Sequence, residues 1–287
     1  MPLSEFKPDF DQLNPFIRAA FSEDLGDGDH TSLATIRKGI TGKAKLLVKD
    51  DGTLAGVKLA EILFDYIDPQ LKMVRFKEDG EQVVKGDIAF TIEGMVHSIL
   101  VAERVVLNCM QRMSGIATLT HFVVEKLKGT HTQVLDTRKT TPGFRYIEKW
   151  AVFIGGGVNH RFGLFDMILI KDNHIDFAGG IPQALHMVHD YLKASNRPLK
   201  VEIEVRNLAE LEQVLMIGGV DRILLDNFSL EGLKFAVKMV NGRFPTEASG
   251  GINPDNALDY ALTGVDFISM GALTHSYSNI DLSLKAV

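Results

Sequence analysis

KVEIE (200–204), RILLD (222–226), PTEAS (245–249) and DFISM (266–270) decide the fold of this chain. Each reads as a strand that delivers a polar residue or a glycine where it ends: Glu204, Asp226, Ser249 and, just past Met270, Gly271. The steps between these four positions are 22, 23 and 22 residues. That spacing fits a strand, a loop, a helix and a return loop. Repeated βα units curl into a barrel and gather their strand ends on one rim, where such folds carry their chemistry. Two earlier runs, ending QVLDT (133–137) and MILIK (167–171), add strands, so the predicted set is 133–137, 167–171, 200–205, 222–226, 245–249 and 266–270. Between 138 and 166 no strand is evident. PGFRYIEKWAVFI there reads as a helix followed by a glycine turn. Six strands are fewer than the eight of a complete barrel. The fold class expected is α/β, an incomplete, about six-stranded TIM-like barrel.

The first part of the chain has a different texture. Residues 9–24 have helical apolar spacing, GDGDHTS (26–32) is a polar turn, and GKAKLLVKDDGTLAGV (42–57) reads as two strands joined at Asp51-Gly52. KLAEILFDYI (58–67) is a short amphipathic helix, 72–94 is β-rich, and 97–128 gives one or two long helices with a break expected near Ser114-Gly115. The division predicted is an N-terminal α+β domain over 1–115 and a barrel over 116–274, with a tail, 275–287, packing back on the first domain.

Composition narrows the function classes. Hydrophobic residues at 45% of 287 permit a large core, and a net charge of −6 argues against non-specific nucleic-acid binding. The one cysteine, Cys109, leaves no intrachain disulfide and reads as core. MPLSEFKPDFDQLN lacks a basic segment followed by an apolar one, so no secretory signal is expected. No apolar run reaches the roughly 18 residues of a membrane span. A cytoplasmic protein without membrane or nucleic-acid partners is the expectation.

One stretch runs against the global charge. From Thr137 to Lys171 there are Arg138, Lys139, Arg145, Lys149, Arg161 and Lys171, opposed by Glu148 and Asp166, a net +4. Charge runs are commonly solvated helix faces. Here Lys171 ends an apolar run, Arg161 sits among glycines and Arg138-Lys139 follows a strand, which are site positions. They suit a small polyanion.

The rim carries further candidates. SGGI (249–252) and MGAL (270–273) follow the last two strands. Glycine lets backbone N–H groups approach a phosphate, a helix start behind them adds a favourable dipole, and barrels hold phosphates in these loops. Ordinary turn glycines are the plain alternative. Glu204 and Asp226 can hold ribose hydroxyls, reach Mg²⁺ through water or stabilise positive charge on a sugar. The alternative for them is a buried ion pair with Lys171. Glu202, two residues before Glu204, shares its side of the strand. His160 and His174 flank the basic run without metal-ligand spacing, so no direct metal site is expected. Phosphate-loop and dinucleotide fingerprints are absent.

Residues 136–174, DTRKTTPGFRYIEKWAVFIGGGVNHRFGLFDMILIKDNH, resemble the quinolinate phosphoribosyltransferases. LLDNF, SGGI, EDLGDGDHTS and AERVVLNCMQRMSGIAT extend the resemblance over nearly the whole chain. It implies an enzyme, a decarboxylating pentosyltransferase that joins quinolinate to phosphoribosyl pyrophosphate with Mg²⁺. The products would be nicotinate mononucleotide, pyrophosphate and CO₂. It implies that Lys139, Lys171, Glu204 and Asp226 are catalytic. The substrate-binding set it implies adds Arg104, Thr137, Arg138, His160, Arg161, Ser249, Gly250, Gly251, Met270, Gly271 and Ala272 to those four. Arg104 would come from the neighbouring subunit of a homodimer with shared sites, which in turn is the building block of a hexamer in one version of the assembly. Mg²⁺ would be reached through pyrophosphate and water near Glu204 and Asp226. A paralogous pyrophosphorylase with another base, or a sugar-phosphate lyase or isomerase on a barrel, would account for the phosphate loops. Neither requires so many cations.

Overall fold

A computed structural model describes residues 9–287 and divides the chain into two compact units. The segment MPLSEFKP, on which the reading of a secretory signal partly rests, lies outside the described residues. One unit contains Met1–His121, Thr140–Gly156 and Leu273–Val287; the other contains Phe122–Lys139 and Gly157–Ala272. This differs from a cut at 115/116. The helix Arg145–Ile154, inside the expected barrel range, groups with the first unit; Leu273–Val287 does too, where the sequence reading put a tail on the first domain. Sequence adjacency hides this, because the chain leaves the barrel after one strand and returns to it before the next.

The first unit is built on a four-stranded antiparallel sheet in the order Leu282–Ala286, Thr41–Val48, Ile88–Met95, Lys72–Arg75. Ala44, Leu46 and Val48 alternate to the buried side, the period-two signature of a sheet with one covered face. The helix Val57–Ile67 covers it, with Phe64 set edge-on against Phe90 at 6.0 Å. This helix starts after Gly56, which has no side chain to cap it. Asp79 supplies the cap from a distant turn, accepting the N–H groups of Val57 and Lys58 at 2.8 and 3.2 Å.

Two expectations are corrected in this unit. Of the two strands read on either side of Asp51-Gly52, the second shrinks to Gly52–Thr53, which pairs with Gln82–Val83. The helix Val96–Lys126 runs 31 residues without a break at Ser114-Gly115. Gly115 serves packing: a Cβ there would lie 2.2 Å from the Ser278 carbonyl oxygen. Cys109 is buried, and burial pushes its thiol up to about 12, in keeping with a core role.

The second unit contains all six predicted strands in one parallel sheet, ordered Gln133–Leu135, Phe267–Ser269, Thr246–Ser249, Arg222–Asp226, Val201–Val205, Ile168–Ile170. Leu135 also makes a parallel bridge with Val158, the only trace of extension in the strandless interval. The incomplete α/β barrel expected from the sequence is therefore the fold observed. Helices Leu208–Ile217 and Leu230–Val240 are started by Asn207 and Ser229, whose side chains accept the N–H of Glu210 and Gly232. Register pairs Ser249 with Asp226 and Glu204 with Leu224, which brings the polar strand ends to one side. Among the described residues no helix is long and apolar enough to cross a membrane.

Candidate active site

Strand ends of the second unit set the rim. Lys171 Nζ stands 3.6 Å from Glu204, the lysine half exposed and the glutamate nearly buried. Burial lifts the Glu204 carboxyl above its usual range; Lys171 pulls it down and Asp226 pushes it up. Asp226 accepts the Ser249 hydroxyl at 2.5 Å and the Asn227 amide at 2.6 Å. Asn227 has a left-handed backbone, φ 55°, and donates its N–H to the Ser249 carbonyl at 2.9 Å. Thr137 Oγ1 accepts the Lys139 N–H at 3.0 Å, a local turn that presents Arg138 and Lys139 just past their strand.

The two glycines of SGGI differ. Gly250, at φ +96°, would put a Cβ 2.2 Å from Asn227 Oδ1, whereas at Gly251, φ +64°, a Cβ would meet nothing within 4 Å. Gly251 is therefore the open backbone of the loop, and Gly250 is its tight fit. The following helices, Ala257–Ala261 and Ala272–His275, are of five and four residues. Their dipoles are short, so the phosphate-binding capacity of these loops rests on glycine backbone more than on the dipole that the sequence reading invoked.

Below the rim lies a buried ionic group. His160 Nε2 is 3.0 Å from Glu202 and 3.6 Å from Glu247, and Arg222 Nη1 is 2.9 Å from Glu247. The ring face of Phe267 lies 4.3 Å from the Arg222 guanidinium. Both Glu202 oxygens and Glu247 Oε1 lack a well-aligned hydrogen bond, so charge at ion-pair distance binds this cluster. Burial raises both carboxyls. Glu247 reaches about 7, through burial first and the Glu202 charge second, with the Arg222 charge opposing. The His160, Glu202 and Glu247 ligand atoms lie within 4.8 Å of one another, a spacing that admits a metal. Arg222 already neutralises Glu247 there. The rim pair Glu204 and Asp226 offers two oxygen donors without such a guanidinium, which fits a hard ion such as Mg²⁺ better.

Arg161 is half-buried and donates Nη1–H to the Met167 carbonyl at 3.2 Å. Burial, then the nearby Arg138 guanidinium, hold its pKa below the arginine norm. Two cations held close and partly desolvated are a standing cost that a bound anion relieves. Asp136, fully buried at the end of its strand, accepts the His160 N–H at 2.8 Å and the Asn159 amide at 2.7 Å, which fixes the turn leading to Arg161.

Of the residues singled out from sequence, Thr137, Arg138, Lys139, His160, Arg161, Lys171, Glu204, Asp226, Ser249, Gly250, Gly251, Met270, Gly271 and Ala272 fall in this unit. Met270 is fully buried and donates its N–H to Leu135, so it holds two strands together. His174 Nδ1 accepts the Lys171 N–H at 2.9 Å and caps a helix. Arg104 lies in the other unit, exposed on the helix Val96–Lys126. Arg145 and Lys149 also lie there, so the contiguous +4 run is split, and Glu148 is held by Arg112 at 2.5 Å and by the Thr141 N–H at 3.1 Å. Sequence reasoning missed Asp136, Asn227, Arg222 and Glu247. Glu247 stands two residues before Ser249, the same period that links Glu202 to Glu204, and that was the available signal.

Comparison with known proteins places these features. The model of the quinolinate phosphoribosyl transferase C-terminal domain matches residues 116–285, and that of the N-terminal domain matches 29–114. The chain is 47% identical to nicotinate-nucleotide pyrophosphorylase [carboxylating], chloroplastic, of Arabidopsis thaliana, over 97% of this chain and 83% of that one. It is also 47% identical, with the same coverage, to quinolinate phosphoribosyltransferase [decarboxylating] 1b of Nicotiana tabacum. The crystal structure of NadC from Streptococcus pyogenes superposes with a TM-score of 0.91 at 36% identity, covering 99% of this chain and all of that one.

Proposed function

This chain belongs to the quinolinate phosphoribosyl transferase family, and on that premise we propose how its site carries out the family reaction. The enzyme transfers phosphoribosyl from phosphoribosyl pyrophosphate to quinolinate, with loss of CO₂, in the synthesis of NAD. The observation that carries the reading is the placement of Arg138 just past its strand, within reach of the charge of half-buried Arg161, whose side chain the Met167 carbonyl holds. Quinolinate brings two adjacent carboxylates. A guanidinium binds a carboxylate through two parallel hydrogen bonds, and Lys139 adds a mobile cation at the same strand end.

The division of labour follows from placement. The backbone of Ser249, Gly250, Gly251, Gly271 and Ala272 holds the 5-phosphate, with open Gly251 allowing the closest approach. Glu204 and Asp226 face the ribose and stabilise positive charge as the C1–O bond to pyrophosphate breaks. Lys171, beside Glu204, and Lys139 attend the departing pyrophosphate and the base. Glu204 and Asp226 would hold Mg²⁺, which when bound would supply charge neutralisation on pyrophosphate. The pyridine nitrogen forms the new C–N bond. The alkylated nitrogen then accepts the electron pair released as the C–C bond to the 2-carboxylate breaks, and a proton takes the vacated ring position. Arg104, exposed on its helix, is assigned to the site of a second copy in a homodimer.

The test is CO₂ release from carboxyl-labelled quinolinate. Release that requires both quinolinate and phosphoribosyl pyrophosphate, with nicotinate mononucleotide formed in equal amount, is the expected result. Turnover of another base in place of quinolinate would refute the assignment.

A further inference from the structure

The group beneath the rim is not used by the reaction just described, yet it buries two glutamates completely. His160 ties it to the substrate-facing residues, and Glu202 also feels the Arg161 charge directly. Nε2 of the His160 ring is 3.0 Å from Glu202, and Nδ1 accepts the backbone N–H of Arg161 at 2.7 Å. A nitrogen that accepts an N–H carries no proton, so the imidazole is neutral with its proton on Nε2, on the glutamate side. Both ring nitrogens are thus engaged by protein. The ring joins a backbone N–H to a buried carboxylate pair.

The neighbours keep that link rigid. Arg222 bridges to Glu247 at 2.9 Å and is itself stacked on Phe267. Asp136 accepts the backbone N–H of His160 at 2.8 Å. Apolar side chains would fill this space at lower desolvation cost but would give the imidazole no preferred direction. Directionality matters because an arginine fork must meet a carboxylate in plane.

We propose that Glu202, Glu247 and Arg222 form a positioning frame that holds the His160 ring by its Nε2 side, so that the ring anchors the Arg161 backbone and presets its guanidinium for a carboxylate of the base. The proposal rests on the quinolinate reading of the rim. Glu202 and its partners are positioning residues, since none is assigned a contact with substrate. With Nη1 also held by the Met167 carbonyl, Arg161 has little freedom left to lose on binding.

Two measurements test it on the full-length enzyme. The first is the ¹⁵N spectrum of the imidazoles, with His160 identified by the signal missing in His160→Asn. Wild type is expected to show a neutral ring protonated at Nε2, and Glu202→Ala a mixture of the two neutral tautomers. The second is steady-state kinetics. Glu202→Ala should raise KM for quinolinate about tenfold, the scale of one lost close contact with a charge, and leave KM for phosphoribosyl pyrophosphate within about twofold. Glu202→Gln, which keeps an acceptor of the same reach, should recover most of that loss. An unchanged tautomer in Glu202→Ala, equal shifts in both KM values, or no advantage of Gln over Ala would overturn the proposal. Should Glu202→Ala fail to fold, His160→Asn and His160→Ala decide. Asn retains an acceptor for the Arg161 N–H and should bind quinolinate more tightly than Ala, and equal binding by the two would overturn the frame. If wild type bound no quinolinate at all, the proposed function would fall, while the tautomer result would still decide the frame.

Discussion

Gly250 lies so close to Asn227 that a Cβ on it would stand 2.2 Å from Asn227 Oδ1, and Asn227 in turn donates to Asp226 at 2.6 Å. One glycine thereby sets the position of a rim carboxylate. Gly250→Ala must shift Asn227 and also hold φ +96°, a conformation that costs L residues roughly 1–2 kcal/mol. Its Tm should fall measurably. Gly251→Asn meets no neighbour and suits a left-handed backbone. It should melt close to wild type but raise KM for phosphoribosyl pyrophosphate. Calorimetry with kinetics on both variants checks this, and an unchanged KM in Gly251→Asn would remove the phosphate from this loop.

Nicotinate lacks the 2-carboxylate, so it would leave part of the Arg138–Arg161 charge unpaired. An unpaired buried polar or charged group costs roughly 1–3 kcal/mol, and 1.4 kcal/mol is about tenfold. Nicotinate should be worse than quinolinate by about two orders of magnitude in kcat/KM. Arg138→Ala and Arg161→Ala should depress quinolinate use far more than nicotinate use. Comparable kcat/KM for both bases in wild type would contradict the dicarboxylate pocket.

Arg104 is assigned to a second copy's site, and subunit exchange tests that directly. Arg104→Ala and Lys139→Ala should each be nearly inactive alone. Mixed under proven exchange, they should regain part of the wild-type activity, because one site in each mixed dimer is intact. Failure to regain any would place Arg104 outside the site.

Glu247 gives a pH signature. Its carboxyl is raised from 4.5 to about 7 by burial and Glu202, with His160 and Arg222 as the facing groups. An acid raised on folding holds its proton longer in the native state. Its stabilising contribution is therefore full below about 4.5 and is lost as pH rises through about 7. Glu247→Gln should flatten the fall of Tm across that window. Parallel Tm-against-pH curves for the two proteins would show that Glu247 does not titrate there.

The barrel was legible because its signal is local and repeated. Strand ends recur at 22- or 23-residue steps, and all six predicted strands form. Rim residues such as Glu204 and Asp226 were legible for the same reason. The buried frame was less so. Glu247 and Arg222 sit inside short strands, where a single sequence cannot distinguish a charge turned inward from one turned to solvent. The basic run misled in another way: charges contiguous in sequence belong to two compact units, with Arg145 and Lys149 on the far side of that division. Gly115 was read as a helix break because its reason, the Ser278 carbonyl, lies far along the chain.

The pairing of Leu282–Ala286 with Thr41–Val48 has a consequence for how the protein is made. The strand Thr41–Val48 emerges early from the ribosome with one edge already matched by Ile88–Met95. Its other edge waits for a partner synthesised after the entire barrel. During translation that edge is an open template for pairing with other nascent chains. Completion of the first sheet is thus coupled to completion of the last barrel strand, and a chain stalled before residue 282 leaves both its barrel finished and its first sheet exposed.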